Sequence, residues 1–215
     1  MNRAAKKSRL FDSTADYHAF QQVVVEALSR FNVAFYSYII MPTHFHFVLS
    51  SDVDRRISEF MHWLETTHSR RWALAKGVDG QGAVYQGRFK AIPIQTERHF
   101  LWVCRYVERN ALRANLVERA EDWRWSSLWQ RRTGAGEVQL SQWPLGEPLD
   151  WIARVNTPQT DSELEAFRRA VNLGRPFGDA AWLETLGHHI PRPRGRPARC
   201  AKVSSTNDPR PHLRN

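Results

Sequence analysis

Two histidines, His44 and His46, stand two apart in the run YIIMPTHFHFVLS, residues 38–50. Neutral imidazole is a common metal ligand. On a β-strand, successive side chains alternate between faces, so His44, His46 and Val48 share one face and Phe45, Phe47 and Leu49 the other. The two rings then stand roughly 6–7 Å apart along the strand. The Phe/Leu face belongs in a core, which leaves the imidazoles side by side opposite it, held without a loop's entropy cost. Such a pair begins a metal site but does not complete one. The run HFLWVCRYVERNALRA (99–114) supplies two more groups. Tyr106 and Asn110 are four apart, one helical turn along a single face, and His99 falls near the same line. An asparagine oxygen can complete a hard-metal site, and a phenol becomes a nucleophile once partly deprotonated. The same residues also fit a plainer arrangement: two strand histidines with no ligand, and a surface tyrosine with an asparagine near a helix end.

These groups need elements to position them. Residues 13–31 have apolar side chains at helical spacing (Phe20, Val23, Val24, Ala27, Leu28, Phe31), with Ser13 as a cap and Asp16 in the first turn. NVAFYSYIIM and HFHFVLS read as strands joined by a Pro42-Thr43 turn, a hairpin. Residues 54–76 form a second helix, with Ile57, Phe60, Met61 and Leu64 on one stripe. GVDGQG (77–82) is a loop, and AVYQGRFKAIPI (83–94) is strand-like, with Gly87 marking a bulge. Thr96 caps a third helix whose stripe is Phe100, Val103, Cys104 and Val107, and Asn115 suits its end. DWRWSS (122–127) can cap a further helix through its serines. After a loop, short helices follow at 160–172 and 178–187, then a disordered tail from Pro191. This order predicts an α+β fold with helices packed on a largely antiparallel sheet.

The 215 residues carry a net charge of +9, which favours a polyanionic partner. The tail from Pro191 onward provides most of that charge. Nine Trp and eleven Phe serve core packing or base stacking equally well. Trp123, Trp125 and Trp129 are read as core. Two cysteines, Cys104 and Cys200, suggest neither a disulfide framework nor a zinc site. No apolar run has transmembrane length, and no apolar segment follows the basic start, so a cytoplasmic protein is expected.

MPTHFHFVL resembles the His-hydrophobic-His signature of the HUH endonucleases. RYVERNALRANLV, followed by WRWSS, resembles the matching segment of the REP-associated tyrosine transposases, relatives of the single-tyrosine insertion-sequence transposases. That family usually reads M-P-N-H-x-H, then R-Y-I-x-x-N-P-V-R-A-G-L-V, then W-S-S. The likeness covers roughly residues 2–130, and GRPFGDAAWLETL (174–186) resembles the family's C-terminal portion. Thr43, Ala111 and Asn115 depart from the pattern at positions where similar backbone needs are met. Family chains also begin with a strand resembling YHV before NR. Here most of that strand is missing, and a start upstream of Met1 is expected.

The resemblance implies a ferredoxin-like antiparallel sheet with helices. It divides the chain into a nuclease domain (1–130), a helical extension (131–190) and a basic tail (191–215). It implies that His44 and His46, with Asn110 as third ligand, hold Mg²⁺ or Mn²⁺, and that Tyr106 is the nucleophile. The substrate would be single-stranded DNA at or near palindromic hairpins, cut to give a 5′-phosphotyrosine link and a free 3′-hydroxyl. The protein would then be nucleoid-associated, without a membrane partner, and a monomer or a dimer. Arg88, Lys90, Arg105, Arg109 and Arg113 would line the DNA path. RPRGRPAR (192–199), with Arg194 and Arg196, resembles an AT-hook. The alternative reading is a non-catalytic protein that binds palindromic repeats.

Overall fold

The computed structural model describes residues 1–5, 8–78, 80–95 and 98–186. The expected tail, with Arg194 and Arg196, lies outside the described residues, as does Thr96, the expected cap of the third helix. Three short strands form one antiparallel sheet in the order β1-β3-β2: β1 is Asn2–Arg3, β2 is Ala34–Met41 and β3 is His44–Ser50. The β2–β3 hairpin turns at Pro42-Thr43. The Pro42 carbonyl accepts from the backbone N–H groups of Leu10 (2.8 Å) and Phe11 (3.2 Å), which ties the turn to the chain entering α1 (Thr14–Arg30).

α1 starts where the sequence predicts. Ser13 Oγ accepts from the Asp16 N–H, and Asp16 Oδ2 accepts from the Ser13 N–H, a reciprocal capping box. α2 (Arg56–Lys76) ends at Gly77, whose φ of +64° is the left-handed conformation that closes helices. The third helix differs slightly from its predicted form. It runs as α3 (Arg98–Glu108), loosens at Arg109, and resumes for one turn as α4 (Asn110–Arg113). Asn115, at φ +54°, then stops it.

Alternation in the hairpin gives the sheet two apolar faces. On one, Phe45, Phe47, Tyr38 and Ile40 pack against Phe20 of α1 and Phe60 and Leu64 of α2. On the other, Val48, Ile39 and Met41 pack under Phe100, Val103, Cys104 and Val107 of α3. The C-terminal helices extend this second core. α6 (Trp151–Asn156) contributes Trp151 and Val155, and α7 (Asp161–Leu173) contributes Leu164 and Phe167. α5 (Ser127–Thr133) is capped by Ser126, and α8 (Ala180–Leu186) is the last described element. α6 has no counterpart in the sequence reading.

One strand expectation is corrected. Residues 83–94 form no ladder strand. They make single bridges, Ala4 to Tyr85 and Ile94 to Phe177. Gly87 lacks a side chain to pack and Pro93 lacks an N–H to donate, so the run cannot sustain a ladder. Its backbone instead lies along the first residues: Gln86 N–H donates to the Arg3 carbonyl (3.0 Å) and Lys90 N–H to the Met1 carbonyl (2.9 Å). The edge beside β3 is therefore filled by residues 1–5, with Arg3 opposite His44 and Asn2 opposite Phe45. Among the described residues, no helix is long and apolar enough to cross a membrane.

Candidate active site

β3 delivers His44 and His46 to the α3 face of the sheet. Their ring centroids are 5.2 Å apart and the planes nearly perpendicular. His46 is buried and His44 is half-buried. Burial pushes the His44 pKa down to about 4, and Arg3 and Arg113 add to the effect. Burial also holds His46 well below its ordinary value, with His44, Arg113 and Arg3 acting in the same direction. Both rings therefore stay neutral, with lone pairs to offer. His44 Nδ1 is paired with Thr43 Oγ1 at 3.0 Å. With Nδ1–H donating, Nε2 is left free to ligate.

α3 brings Tyr106 to the same place. Its ring centroid is 6.0 Å from that of His46, edge to face. Trp102 stacks on one side at 5.8 Å, Phe167 of α7 closes to 4.5 Å, and the Arg113 guanidinium carbon lies 4.2 Å from the ring centroid. Tyr106 is only 7 % exposed. Asn110 is 5 % exposed; its Oδ1 accepts from Arg113 Nη2 at 2.7 Å, while its Nδ2 has no partner. Two neutral imidazoles and an amide oxygen with a spare lone pair are donors of the kind a divalent cation takes. Among the described residues, no cluster of three or more His, Cys, Asp or Glu offers a competing metal site. His99 does not join the group; it packs edge-on against Phe177 at 5.3 Å.

Glu108 fixes the C-terminal end of α3. It is fully buried, yet every neighbour answers it: Ser37 Oγ donates to Oε1 (2.9 Å), Ser127 Oγ also donates to Oε1 (2.5 Å), Trp151 Nε1 donates to Oε2 (2.7 Å), and Arg131 forms an ion pair with it. The carboxylate thus links α3 to β2, α5 and α6. Nothing in the local sequence marks Glu108 as buried, and Phe167 and Arg3 were equally unmarked.

The predicted DNA-path residues separate into groups. Arg88 and Lys90 are exposed and, with Arg3, line a cleft of about 310 Å³ beside β1. Lys90 also borders a smaller cavity of about 120 Å³ that His46 lines. Arg113 sits in the site itself. Arg105 and Arg109 are half-buried and hydrogen-bonded to the end of α6 and the chain after it. Arg105 Nη2 donates to the carbonyls of Thr157 (2.7 Å) and Pro158 (3.0 Å), and Arg109 Nη1 to those of Val155 (2.9 Å) and Asn156 (2.5 Å). Cations there satisfy the orphan carbonyls that end α6. Trp123 and Trp125 are structural, as expected: Trp125 stacks on Tyr17 at 4.5 Å and Trp123 Nε1 donates to the Ile40 carbonyl at 3.0 Å, whereas Trp129 is half-buried, joins neither core cluster and lies 5.7 Å from the Arg124 guanidinium carbon.

A family described as "Transposase IS200 like" matches residues 1–110, which include both histidines, Tyr106 and Asn110. The chain belongs to the IS200-like transposases. A solved structure of a REP-associated tyrosine transposase bound to a REP hairpin has the same fold. The two chains are 17 % identical, with a TM-score of 0.51 over 69 % of this chain and 88 % of that one. A search of curated proteins returns no match. As an IS200-like transposase, the chain has a DNA-processing role, and the family expectation drawn from MPTHFHFVL and RYVERNALRANLV holds.

Proposed function

We propose that this transposase is a metal-dependent, single-tyrosine DNA endonuclease and strand transferase, of the REP-associated branch, acting on single-stranded hairpin DNA. The observation that carries the reading is the edge-to-face approach of Tyr106 to His46, within a group that also holds His44, Asn110 and Arg113. Tyr106 Oη forms a bond to phosphorus as the P–O3′ bond breaks. The phenolic proton passes to solvent and the departing oxygen takes one up as the 3′-hydroxyl. The 5′-phosphotyrosine conserves the energy of the phosphodiester, so rejoining needs no ATP. His44, His46 and Asn110 Oδ1 would hold Mg²⁺ or Mn²⁺, which when bound polarises the scissile phosphate and offsets charge on the departing oxygen. β3 holds the two imidazoles in place, burial keeps them unprotonated, and Arg3, Arg88 and Lys90 draw the polyanion to that end of the sheet.

A second reading, repeat binding without chemistry, draws support from the enclosure of Tyr106 by Trp102 and Phe167. One experiment decides. The protein is incubated with Mn²⁺ and labelled single-stranded DNA hairpins, then run on a denaturing gel. An adduct that is lost in Tyr106→Phe supports cleavage. Tight binding with neither adduct nor cut supports the second reading.

A further inference from the structure

Two buried hydrogen-bond donors beside Tyr106 have nothing to donate to. Asn110 Nδ2 and Arg113 Nη1 are shielded from solvent and lack an acceptor. The other halves of the same side chains hold each other: Arg113 Nη2 donates to Asn110 Oδ1 at 2.7 Å. The pair is three residues apart, on one helical face, and the guanidinium lies over the Tyr106 ring. Buried donors are nearly always satisfied, because leaving one unpaired carries its full desolvation penalty. Two orphans on mutually bonded side chains mark a place where an acceptor belongs. The surroundings are cationic, with Arg3 and Arg113 both bearing on the imidazoles, so the acceptor that fits is an anion.

We propose that Asn110 Nδ2 and Arg113 Nη1 together hold one non-bridging oxygen of the phosphate that Tyr106 attacks. This rests on the reading of Tyr106 as nucleophile and goes further. It makes Arg113 a catalytic residue and gives the Asn110 amide nitrogen a task separate from its oxygen. Negative charge grows on the non-bridging oxygens as phosphorus becomes five-coordinate. Donors that are already fixed and dehydrated bind that charge without reorganising. The Arg113–Asn110 bond engages the amide through Oδ1 and leaves Nδ2 available.

Asn110→Asp separates this role from ligation. It keeps two oxygens, which serve a cation as well or better, but removes the donor and sets a like charge near the phosphate. The test measures single-turnover adduct formation in Mn²⁺, using a single-stranded hairpin that the wild type cuts, with an Rp or Sp phosphorothioate at the mapped cut position. Asn110→Asp and Arg113→Gln should each slow adduct formation by about 10²–10³-fold. Mn²⁺ affinity, measured on the protein alone, should be unchanged or tighter in Asn110→Asp. The penalty that one diastereomer imposes on the wild type should vanish in both variants, a non-additivity that a merely structural defect would not produce. Asn110→Asp cutting at the wild-type rate, or an unaltered diastereomer penalty in both variants, overturns the proposal. Titration with inorganic phosphate, followed by NMR at the Asn110 side-chain amide, keeps the two claims apart. If the wild type forms no adduct but phosphate shifts that resonance, and the shift is lost in Arg113→Gln, the anion site stands and the Tyr106 reading falls. With neither adduct nor shift, both fall.

Discussion

His68 and His46 lie on opposite sides of the same sheet, and burial acts on both alike. His68, on α2, has its pKa pushed down to about 4, and His46 is held well below its ordinary value. Their neighbours differ. His68 Nδ1 pairs with the Tyr85 hydroxyl at 2.6 Å, and Phe11 and Phe20 close around the ring. Apart from that satisfied bond and the opposing pull of Asp16, its surroundings are apolar. His46 stands beside a second imidazole, a tyrosine, two arginines and two orphaned donors. A depressed histidine pKa is therefore no mark of chemistry here, since desolvation produces it on either face. What sets the His46 side apart is its company: an imidazole pair beside a tyrosine and two mutually bonded side chains that each keep a free donor, where the His68 ring nitrogen is already satisfied.

The largest expected effect tests that division directly. Tyr106→Phe should lower adduct formation by at least ~10³-fold, because no other nucleophile shares its position. Its thermal midpoint should stay within about 2 °C of wild type, because only a hydroxyl is lost. A large drop in stability would place Tyr106 with the structural groups. Next comes Glu108, the polar centre that belongs to the fold although it is on the α3 face. Glu108→Ala strips Ser37, Ser127 and Trp151 of their shared acceptor and leaves Arg131 with Glu147 alone, and should cost about 3 kcal/mol in urea unfolding. A change below about 1 kcal/mol would show that the cluster does not hold α3 in place.

The quiet face has its own signature in pH. The unfolded chain protonates His68 near pH 6.5, whereas the folded chain resists until about 4. Stability is therefore fully present above pH 6.5 and falls as pH drops toward 4, by about 3 kcal/mol from this group. The slope of unfolding free energy between pH 7.5 and 4.5 should be shallower in His68→Gln. An unchanged slope would remove His68 as its source. The smallest effects separate the arginines. Arg88→Ala should weaken hairpin binding a few-fold and reduce the salt dependence by about 0.7 of a charge, as for any lost phosphate contact to a single strand. Arg109→Ala should leave the salt dependence alone and cost about 1–2 kcal/mol of stability through the α6 carbonyls. A loss of salt dependence in Arg109→Ala would reverse that assignment.

Much of the scaffold could be read from periodicity. Period-2 alternation in HFHFVLS placed His44 and His46 on the face opposite Phe45 and Phe47, and helical spacing located α1, α2 and α3. Ser13, Ser126 and Asn115 act at helix ends because their side chains or conformations suit those positions. What the local pattern does not carry has a common physical origin: it depends on what packs against an element. Residues 83–94 look like a strand by composition, but Gly87 and Pro93 interrupt their pairing and only single bridges form. Arg105 and Arg109 look like a basic face until α6 places its carbonyls against them, and α6 is too short to announce itself. Glu108 is charged, and only the convergence of Ser37, Ser127, Arg131 and Trp151 from distant segments makes its burial tolerable. The orphaned state of Asn110 Nδ2 and Arg113 Nη1 is likewise a property of the packed site.

The most direct measurement is mass spectrometry of the covalent product. After reaction with Mn²⁺ and a single-stranded DNA hairpin, the protein is digested with protease and nuclease, and the peptide carrying a residual 5′-nucleotide is sequenced. The account predicts the added mass on Tyr106 and nowhere else. An adduct on Tyr36 or any other residue, or cleavage of the hairpin with no tyrosine modified, would contradict it.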